Sequence, residues 1–245
     1  MSSDRVHSFN KNNLDTYLKA LAKLFRKQNG KGATAEIVLV GGAAILVNYG
    51  FRDMTTDIDA IIHASSSMKD AINHIGDQYN LPNGWLNADF MRTASYTIKL
   101  NEFSQYYKTF SGVLQVRSIS AEYLIAMKLK SGRKFKSDLS DFIGILSEHE
   151  KRGQAITWDR IDQAVTNLYQ GWDGIPKGAK TFIQNALKTG RFQEIFEQVQ
   201  EQEKLSKQML IEFQQQHPQT VTESNVDEIL QMLASKQSSN TKEKE

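Results

Sequence analysis

The sequence predicts an α+β protein in which a mixed α/β half, ending near residue 118, is followed by an all-helical half. Up to that residue, short apolar runs alternate with segments of helical periodicity, as is typical of strands packed with helices. From Ser120 onward, the periodic segments have helical spacing. The 245 residues contain only three prolines, so long helices are seldom interrupted.

The first half alternates helices and strands and ends in two neighbouring strands. Leucines at spacings of four and three predict the first helix, which stops at Gly30, and Gly50 closes the second. The last strands are rich in β-branched and aromatic residues and turn at Ser111-Gly112. In order, the segments are the helix "NLDTYLKALAKLFRKQNG", the strand "EIVLVGG", the helix "AAILVNYG", the strand "TDIDAII", the helix "SSSMKDAINHIGDQYN", and the strands "YTIKLNEF" and "YYKTFSGVLQVRSI".

The second half is a succession of helices. Ser120 and Thr157 precede two of them and are predicted N-caps. We expect an α/β core over residues 1–118, a helical region over 119–235, and a polar, disordered tail over 236–245. The predicted helices are "SAEYLIAMKLKSG", "SDLSDFIGILSEHEKRG", "TWDRIDQAVTNLY", "KGAKTFIQNALKTG", "RFQEIFEQVQEQEKLSKQMLIEFQQQ" and "SNVDEILQMLASK".

The composition excludes several classes of function. Cysteine is absent, which rules out disulfides, thiolate metal sites and cysteine nucleophiles. The longest apolar run, residues 37–47, is about half of what a membrane span needs. The N-terminus has no apolar segment of the kind found in secretory signals, so we expect a soluble, cytoplasmic protein. The five histidines have no metal-ligand spacing, and neither a Walker loop nor a Gly-x-Ser-x-Gly motif occurs.

The net charge of +2 conceals an asymmetry along the chain. Residues 191–245 hold 6 basic and 10 acidic residues, for a net charge of −4, and residues 1–190 carry +6. Such a basic excess suits an anionic partner such as a nucleotide or a nucleic acid, although a solvated helix end explains it equally well. It is densest at Lys128, Lys130, Arg133, Lys134 and Lys136.

A pair of glycines and a pair of aspartates are the strongest chemical signals. A strand that runs into Gly41-Gly42 and then a helix permits a sharp turn and offers free N–H groups to a phosphate. Asp57 and Asp59 are two apart in the next strand, so they project from the same face. Two neighbouring carboxylates repel each other unless a cation binds between them, and Mg²⁺ prefers such oxygen ligands. A solvent-facing strand edge is the alternative explanation.

At this point the sequence resembles a known superfamily. The segment "VGGAAILVNYGFRDMTTDIDAII" is similar to the signature of polymerase-β-like nucleotidyltransferases, and most similar to bacterial AbiE-type toxin nucleotidyltransferases and their uncharacterised relatives. The resemblance covers roughly residues 35–146 and includes "LIAMKLKSGRKFKSDLSDFIGIL" as the later lysine-bearing helix and acidic helix start. It implies an N-terminal nucleotidyltransferase domain with a mixed sheet and flanking helices, to whose active site residues 119–146 contribute.

The resemblance implies a role for each residue of the first motif. Asp57 and Asp59 would be catalytic and would hold one or two Mg²⁺ ions. Gly41, Gly42 and Thr56 would bind the nucleotide, which is the NTP substrate.

The resemblance also implies roles for the second motif. Lys128 and Arg133 would neutralise the phosphates of the nucleotide, Lys128 as a point charge at the edge of an apolar helix face. The alternative for Lys128 is that its ammonium extends from that face to solvent, which is common for lysines at such an edge. Asp138 or Asp141 would complete the catalytic set, although acidic residues in a first helical turn also interact favourably with the helix dipole. A third carboxylate from a later strand is the alternative, with Asp89 and Glu102 as its candidates.

The expected activity is the Mg²⁺-dependent transfer of a nucleoside monophosphate from an NTP to an acceptor hydroxyl. The resemblance suggests tRNA or another RNA as the acceptor, a toxin-like role in toxin–antitoxin or phage defence, and a cognate antitoxin protein as partner. Self-association through the Gln-rich helix is also compatible with the sequence. The alternatives are a non-catalytic nucleotide-binding or protein-interaction relative, and a nucleotidyltransferase that modifies a small molecule such as an antibiotic.

Overall fold

A mixed sheet forms the centre of the first half. The computed structural model describes residues 8–131, 138–222 and 225–242. Within these ranges the strands are β1 (Ala35–Leu39), β2 (Ile58–His63), β3 (Leu86–Asn87), β4 (Ser104–Phe110) and β5 (Leu114–Ile119). Their order in the sheet is β3-β2-β1-β5-β4. The central strand β1 runs antiparallel to β2 and parallel to β5, while β4 pairs antiparallel with β5.

Helices flank the sheet and then make up the rest of the chain, which confirms the α+β architecture. The helices of the first half are α1 (Lys11–Asn29), α2 (Gly41–Asn48) and α3 (Ser67–Tyr79), with 3₁₀ helices at Asp89–Arg92 and Ile98–Phe103. Those of the second half are α4 (Ala121–Ser131), α5 (Asp138–Lys151), α6 (Trp158–Tyr169), α7 (Lys177–Thr189), α8 (Phe192–Gln216) and α9 (Val226–Lys242). The last helix extends into the segment 236–245 that the sequence suggests is disordered.

The predicted strand over "YTIKLNEF" is wrong, because residues 98–103 form a 3₁₀ helix. Thr97 starts this helix, and its hydroxyl accepts a hydrogen bond from the N–H of Lys99. Leu100 is fully buried while Ile98 is 72% exposed, so both residues of an i, i+2 pair cannot share one strand face against the core. The local cap and the burial of Leu100 therefore override the β propensity of the segment.

The predicted turn at Ser111-Gly112 and the predicted N-cap at Thr157 are confirmed. Ser111 and Gly112 both have positive φ angles, 51° and 69°, and join β4 to β5 as expected. The Thr157 hydroxyl accepts a hydrogen bond from the N–H of Arg160, which confirms it as the N-cap of α6. Ser120 precedes α4, but its hydroxyl donates to the carbonyl of Phe103 and ties the helix to the sheet.

One apolar core continues from the sheet into the helices of the second half. Its buried members extend along the chain from Phe9 to Phe196 and include most of the central strand β1. A separate small cluster of Leu210, Val226 and Ile229 lies between α8 and α9. The larger core continues past residue 118, where α4 packs against α2 and α5. Among the described residues, no helix has the length and apolar character to span a membrane.

Candidate active site

A cleft of about 450 Å³ lies where the chain leaves β1 and enters β2. The turn after β1, the 3₁₀ helix at residues 89–92 with the residues that follow it, and α4 form its walls. Its size suits a small-molecule ligand. The charged and glycine residues of its wall are Gly41, Asp57, Asp59, Asp89, Lys128 and Lys130.

A second cavity of about 520 Å³ between α5–α6 and α7–α8 has a mostly apolar wall with one carboxylate, that of Glu150.

Strand register places the paired aspartates in the first cleft. Leu39 of β1 lies opposite Ala60 of β2, and the N–H of Val40 donates to the carbonyl of Asp59 over 3.0 Å. Asp59 therefore lies directly beside the turn that follows β1. Asp57 is exposed and Asp59 half-buried, whereas the intervening Ile58 is fully buried in the core. The alternation predicted from the sequence thus directs both carboxylates into the cleft.

The two glycines of the turn serve different purposes. Gly41 has a φ of +52°, which favours glycine, and a Cβ built on it would lie in ordinary contact with Oδ2 of Asp59, at 3.9 Å. Gly42 faces the other way, and its Cβ would lie only 2.7 Å from Oγ1 of Thr55 and 3.1 Å from Nη2 of Arg52. Gly41 therefore belongs to the cleft wall, while Gly42 allows close packing behind it.

Helix α2 directs its positive end toward the cleft. It begins at Gly41 without a side-chain cap. At the other end, the carbonyl of Val47 accepts from Nζ of Lys11 over 3.0 Å, and that of Asn48 accepts from Nη2 of Arg152 over 3.4 Å. The two cations complement the negative end of the helix dipole, and the uncapped N–H groups at the positive end suit a phosphate.

Thr55 holds the segment that carries Asp57. Its backbone pairs with that of Phe9 in both directions, through N···O distances of 2.7 and 2.9 Å. Its hydroxyl donates to the Asp57 carbonyl over 3.2 Å and lies 3.4 Å from the Asp57 carboxylate. Thr56, the threonine that the sequence suggested for nucleotide binding, is exposed and is not among the described residues of the cleft wall.

Lys128 connects the cleft to a buried ionic network. It lines the cleft, and its ammonium lies 2.7 Å from a carboxylate oxygen of Asp138 and 2.7 Å from one of Asp141. Burial by itself would lower the pKa of Lys128, but the carboxylates of Asp141 and Asp138 outweigh it and raise the pKa above its ordinary value. Lys128 is therefore a cation whose charge is already balanced.

Arg52 completes this network, and no sequence pattern singles it out. Its Nη1 lies 2.7 Å from each oxygen of Asp141, 89 residues away along the chain. With Lys128 and Asp138, the four side chains carry no net charge. Neither Asp138 nor Asp141 is among the described residues that line the cleft, and both are buried. The structure thus places them against Lys128 and not beside Asp57 and Asp59.

A buried glutamate from α8 supports the start of α5. Glu203 accepts hydrogen bonds from the N–H of Ser140 over 3.2 Å and from the Ser140 hydroxyl. Burial raises the pKa of Glu203, while the hydrogen bonds from Ser140 lower it and the charge of Asp141 adds to the increase. A helix remote in sequence therefore fixes the first turn of α5, which carries Asp138 and Asp141.

Asp89, and not Glu102, is the third carboxylate of the cleft. Asp89 begins the 3₁₀ helix at residues 89–92, and its N–H is held by the side chain of Asn87 over 2.8 Å. Glu102 is exposed and outside the described cleft wall. Within the described ranges, no three acidic or histidine side chains converge as a metal-binding group. Asp57 and Asp59 are therefore a pair, and Asp89 a separate carboxylate of the same cleft.

Lys130 is a second basic residue of the cleft wall. Its Nζ lies 3.3 Å from the carbonyl of Asp173 and 5.4 Å from the centre of the Tyr169 ring. Arg133, predicted to bind the nucleotide, lies outside the described residues, as do Lys134 and Lys136. A sequence signal for Lys130 existed in the basic run, but nothing in that run separated it from its neighbours.

The donor chemistry fits a hard divalent cation. Asp57 and Asp59 offer carboxylate oxygens, and Gly41 leaves the space beside Asp59 without a side chain. Mg²⁺ is held in proteins by one or two carboxylates together with substrate phosphates. The uncapped end of α2 provides the place for those phosphates.

Comparison with known families identifies a family to which most of the chain is similar. A family model described as "Nucleotidyltransferase of unknown function (DUF6036)" matches residues 16–170. The matched range extends from α1 to the end of α6 and includes the whole described cleft wall and the Arg52–Asp141 contact. The chain has no match among curated proteins or among solved structures.

Proposed function

This chain belongs to a family of nucleotidyltransferases of unknown function, DUF6036, and we propose that it transfers a nucleoside monophosphate from an NTP to an acceptor hydroxyl. One observation carries the proposal: Asp57 and Asp59 line the same cleft as the turn that begins the uncapped helix α2. Nucleotidyl transfer depends mainly on positioning and on charge stabilisation, and this arrangement provides both.

In this proposal Asp57 and Asp59 hold one or two Mg²⁺ ions. Bound Mg²⁺ supplies a Lewis acid that neutralises the phosphate oxygens of the substrate. Thr55 keeps Asp57 in place through its hydroxyl, and the β1–β2 register keeps Asp59 beside Gly41.

The rest of the wall binds and orients the NTP. The N–H groups at the start of α2 donate hydrogen bonds to the phosphates. Phe90, Leu124 and Met127 form an apolar part of the same wall, against which a nucleobase can lie.

The transfer step forms a bond between the acceptor oxygen and the α-phosphorus of the NTP. The bond from that phosphorus to the oxygen that bridges the α- and β-phosphates breaks, and pyrophosphate leaves. The proton of the acceptor hydroxyl passes to Asp89, the acidic side chain of the described wall that remains once Asp57 and Asp59 are assigned to the metal. Asp138 and Asp141 position Lys128 and the Asp57 segment through the ionic network.

We further propose RNA, tRNA in particular, as the acceptor and a toxin-like role with a cognate antitoxin. Two features support this proposal: the resemblance of residues 35–146 to AbiE-type toxin nucleotidyltransferases, and the charge of +6 on residues 1–190.

The experiment incubates the protein with each α-³²P-labelled NTP, Mg²⁺ and total RNA, with and without added protein lysate. We expect labelled RNA from wild type and none from the Asp57→Ala/Asp59→Ala double variant. Asp53→Ala removes an exposed aspartate outside the described cleft wall and should label like wild type. Absence of NTP binding by calorimetry, together with absence of label on any macromolecule, would overturn the enzymatic proposal. Label on protein alone would overturn only the RNA acceptor.

A further inference from the structure

The geometry points to Lys130, and not Lys128, as the residue that neutralises the phosphates of the bound NTP. This inference rests on the proposed function and deepens it. Both lysines lie on α4 and line the cleft. They differ in what surrounds their ammonium groups.

The ammonium of Lys128 has two carboxylate partners. Asp138 and Asp141 each contact it over 2.7 Å, and both are almost completely buried. If a phosphate drew Lys128 away, the buried carboxylates of Asp138 and Asp141 would both lose a cation that lies 2.7 Å away, and such a loss is costly. The second cation of the network, Arg52, is likewise engaged by Asp141. The network therefore has little positive charge to offer the cleft.

The partners of Lys130 carry no charge. Within the described ranges, its ammonium contacts the carbonyl oxygen of Asp173 and the face of the Tyr169 ring. These contacts orient a lysine without cancelling its charge. No described carboxylate contacts Lys130, and the other charged residues of the described cleft wall are Asp57, Asp59, Asp89 and the already paired Lys128. A highly anionic ligand such as a triphosphate is the chemistry that this lysine favours.

The surroundings of Lys130 are built to hold it. Gly174 has a φ of +72°, and a Cβ on it would lie 2.7 Å from the Lys130 ammonium, so a side chain there would occupy the place of the ammonium. The Tyr169 hydroxyl donates to the carbonyl of Ser95 over 2.7 Å, and Ser95 itself lines the cleft. The end of α6 and the turn after it therefore position Lys130, and the same end of α6 also holds the loop that carries Ser95.

The test compares the binding of NTPs and of the matching nucleosides by calorimetry in the presence of Mg²⁺. Lys130→Met removes the charge and keeps the length of the side chain, and Lys130→Arg restores the charge. Lys180→Met is the matched control, since Lys180 also lies over an aromatic ring, 4.7 Å from the centre of Trp172, but is outside the described cleft wall. Thermal unfolding of each variant shows whether it folds.

We expect Lys130→Met to weaken NTP binding roughly ten- to hundred-fold, the range for a charge-assisted hydrogen bond, and to leave nucleoside binding unchanged. Lys130→Arg should bind like wild type, and so should Lys180→Met. Equal NTP binding by Lys130→Met and wild type would overturn the inference and leave the proposed function standing. Equal losses for NTP and nucleoside would also overturn it, because Lys130 would then act on the shape of the cleft. If wild type itself bound no NTP, the proposed function would fail first.

Discussion

Nη1 of Arg52 lies 2.7 Å from both oxygens of the Asp141 carboxylate, which fastens the segment before Asp57 to the first turn of α5. The two residues are 89 positions apart in the chain. Since the Arg52 guanidinium also packs against Gly42, one arginine connects the glycine turn, the Asp57 segment and α5.

Loss of Arg52 should destabilise the protein. Arg52→Met leaves the buried Asp141 with Lys128 as its cation among the described residues, so we expect the free energy of unfolding in urea to fall by about 3 kcal/mol. Arg160→Met is the control: Arg160 pairs with Glu122 over 3.2 Å but is 46% exposed. Its loss should cost less than about 1 kcal/mol. Equal effects of the two substitutions would contradict a structural role for the Arg52–Asp141 pair.

The two glycines should respond differently to alanine. Gly42→Ala places a Cβ 2.7 Å from Oγ1 of Thr55, whose backbone is held by its pairing with Phe9, so stability should fall. Because Thr55 positions Asp57, the binding of Mn²⁺, used in place of Mg²⁺, should fall as well. Gly41→Ala meets no atom closer than 3.9 Å but strains a backbone with φ of +52°, at a cost of roughly 1 kcal/mol.

Gly178 provides the control for these two variants. It is the second residue of α7 and has open space around it, so Gly178→Ala should not destabilise the protein and should stabilise it by at most about 1 kcal/mol. Urea unfolding measures the stability of each variant, and the paramagnetic resonance of Mn²⁺ measures its metal binding. A Gly42→Ala variant that unfolds and binds Mn²⁺ like wild type would show that Thr55 can move away without effect.

Substitutions of Asp89 and Asp138 should distinguish a catalytic carboxylate from one that only positions other residues. Asp89 is exposed, so Asp89→Asn should change the free energy of unfolding by less than about 0.5 kcal/mol. As the proposed proton acceptor, its loss should slow label transfer about 100-fold at saturating NTP. Asp138→Asn removes a fully buried partner of Lys128 and should mainly lower stability. The reverse pattern, with Asp138→Asn stable but inactive, would assign the proton to Asp138.

Glu203 should make stability depend on pH. Burial raises its pKa above the ordinary value of 4.5, so the folded state holds the proton more tightly than the unfolded state. The stability contributed by Glu203 is therefore greatest below that ordinary value and declines as the pH rises through the folded pKa.

Glu203→Gln tests this dependence, because the amide resembles the protonated acid and can still bond to Ser140. The free energy of unfolding of Glu203→Gln minus that of wild type should increase as the pH rises above 4.5. Urea unfolding at a series of pH values measures this difference. Glu201→Gln, at an exposed position of the same helix, should show no such trend. A difference between Glu203→Gln and wild type that is constant with pH would refute the assignment.

Much of the local structure followed from the sequence by itself. Periodicity located α1, the strands around the glycine turn and the succession of helices after Ser120, because apolar spacing records which face each element buries. The motif "GG…DID" predicted a cleft lined by Gly41, Asp57 and Asp59, since strand alternation and a turn are local properties of the chain. The strand predicted over residues 98–103 failed where the burial of Leu100 and a local cap outweighed β propensity.

Only the tertiary structure decided which charges are available to a ligand. The sequence could place Lys128 and Lys130 on one helix, but not show that two carboxylates balance the first while a carbonyl and an aromatic ring surround the second. Arg52 contacts Asp141 across 89 residues and Glu203 contacts Ser140 across 63, and no local pattern encodes such pairings. Charge neutralisation is set by distance and burial, and both are properties of the folded chain.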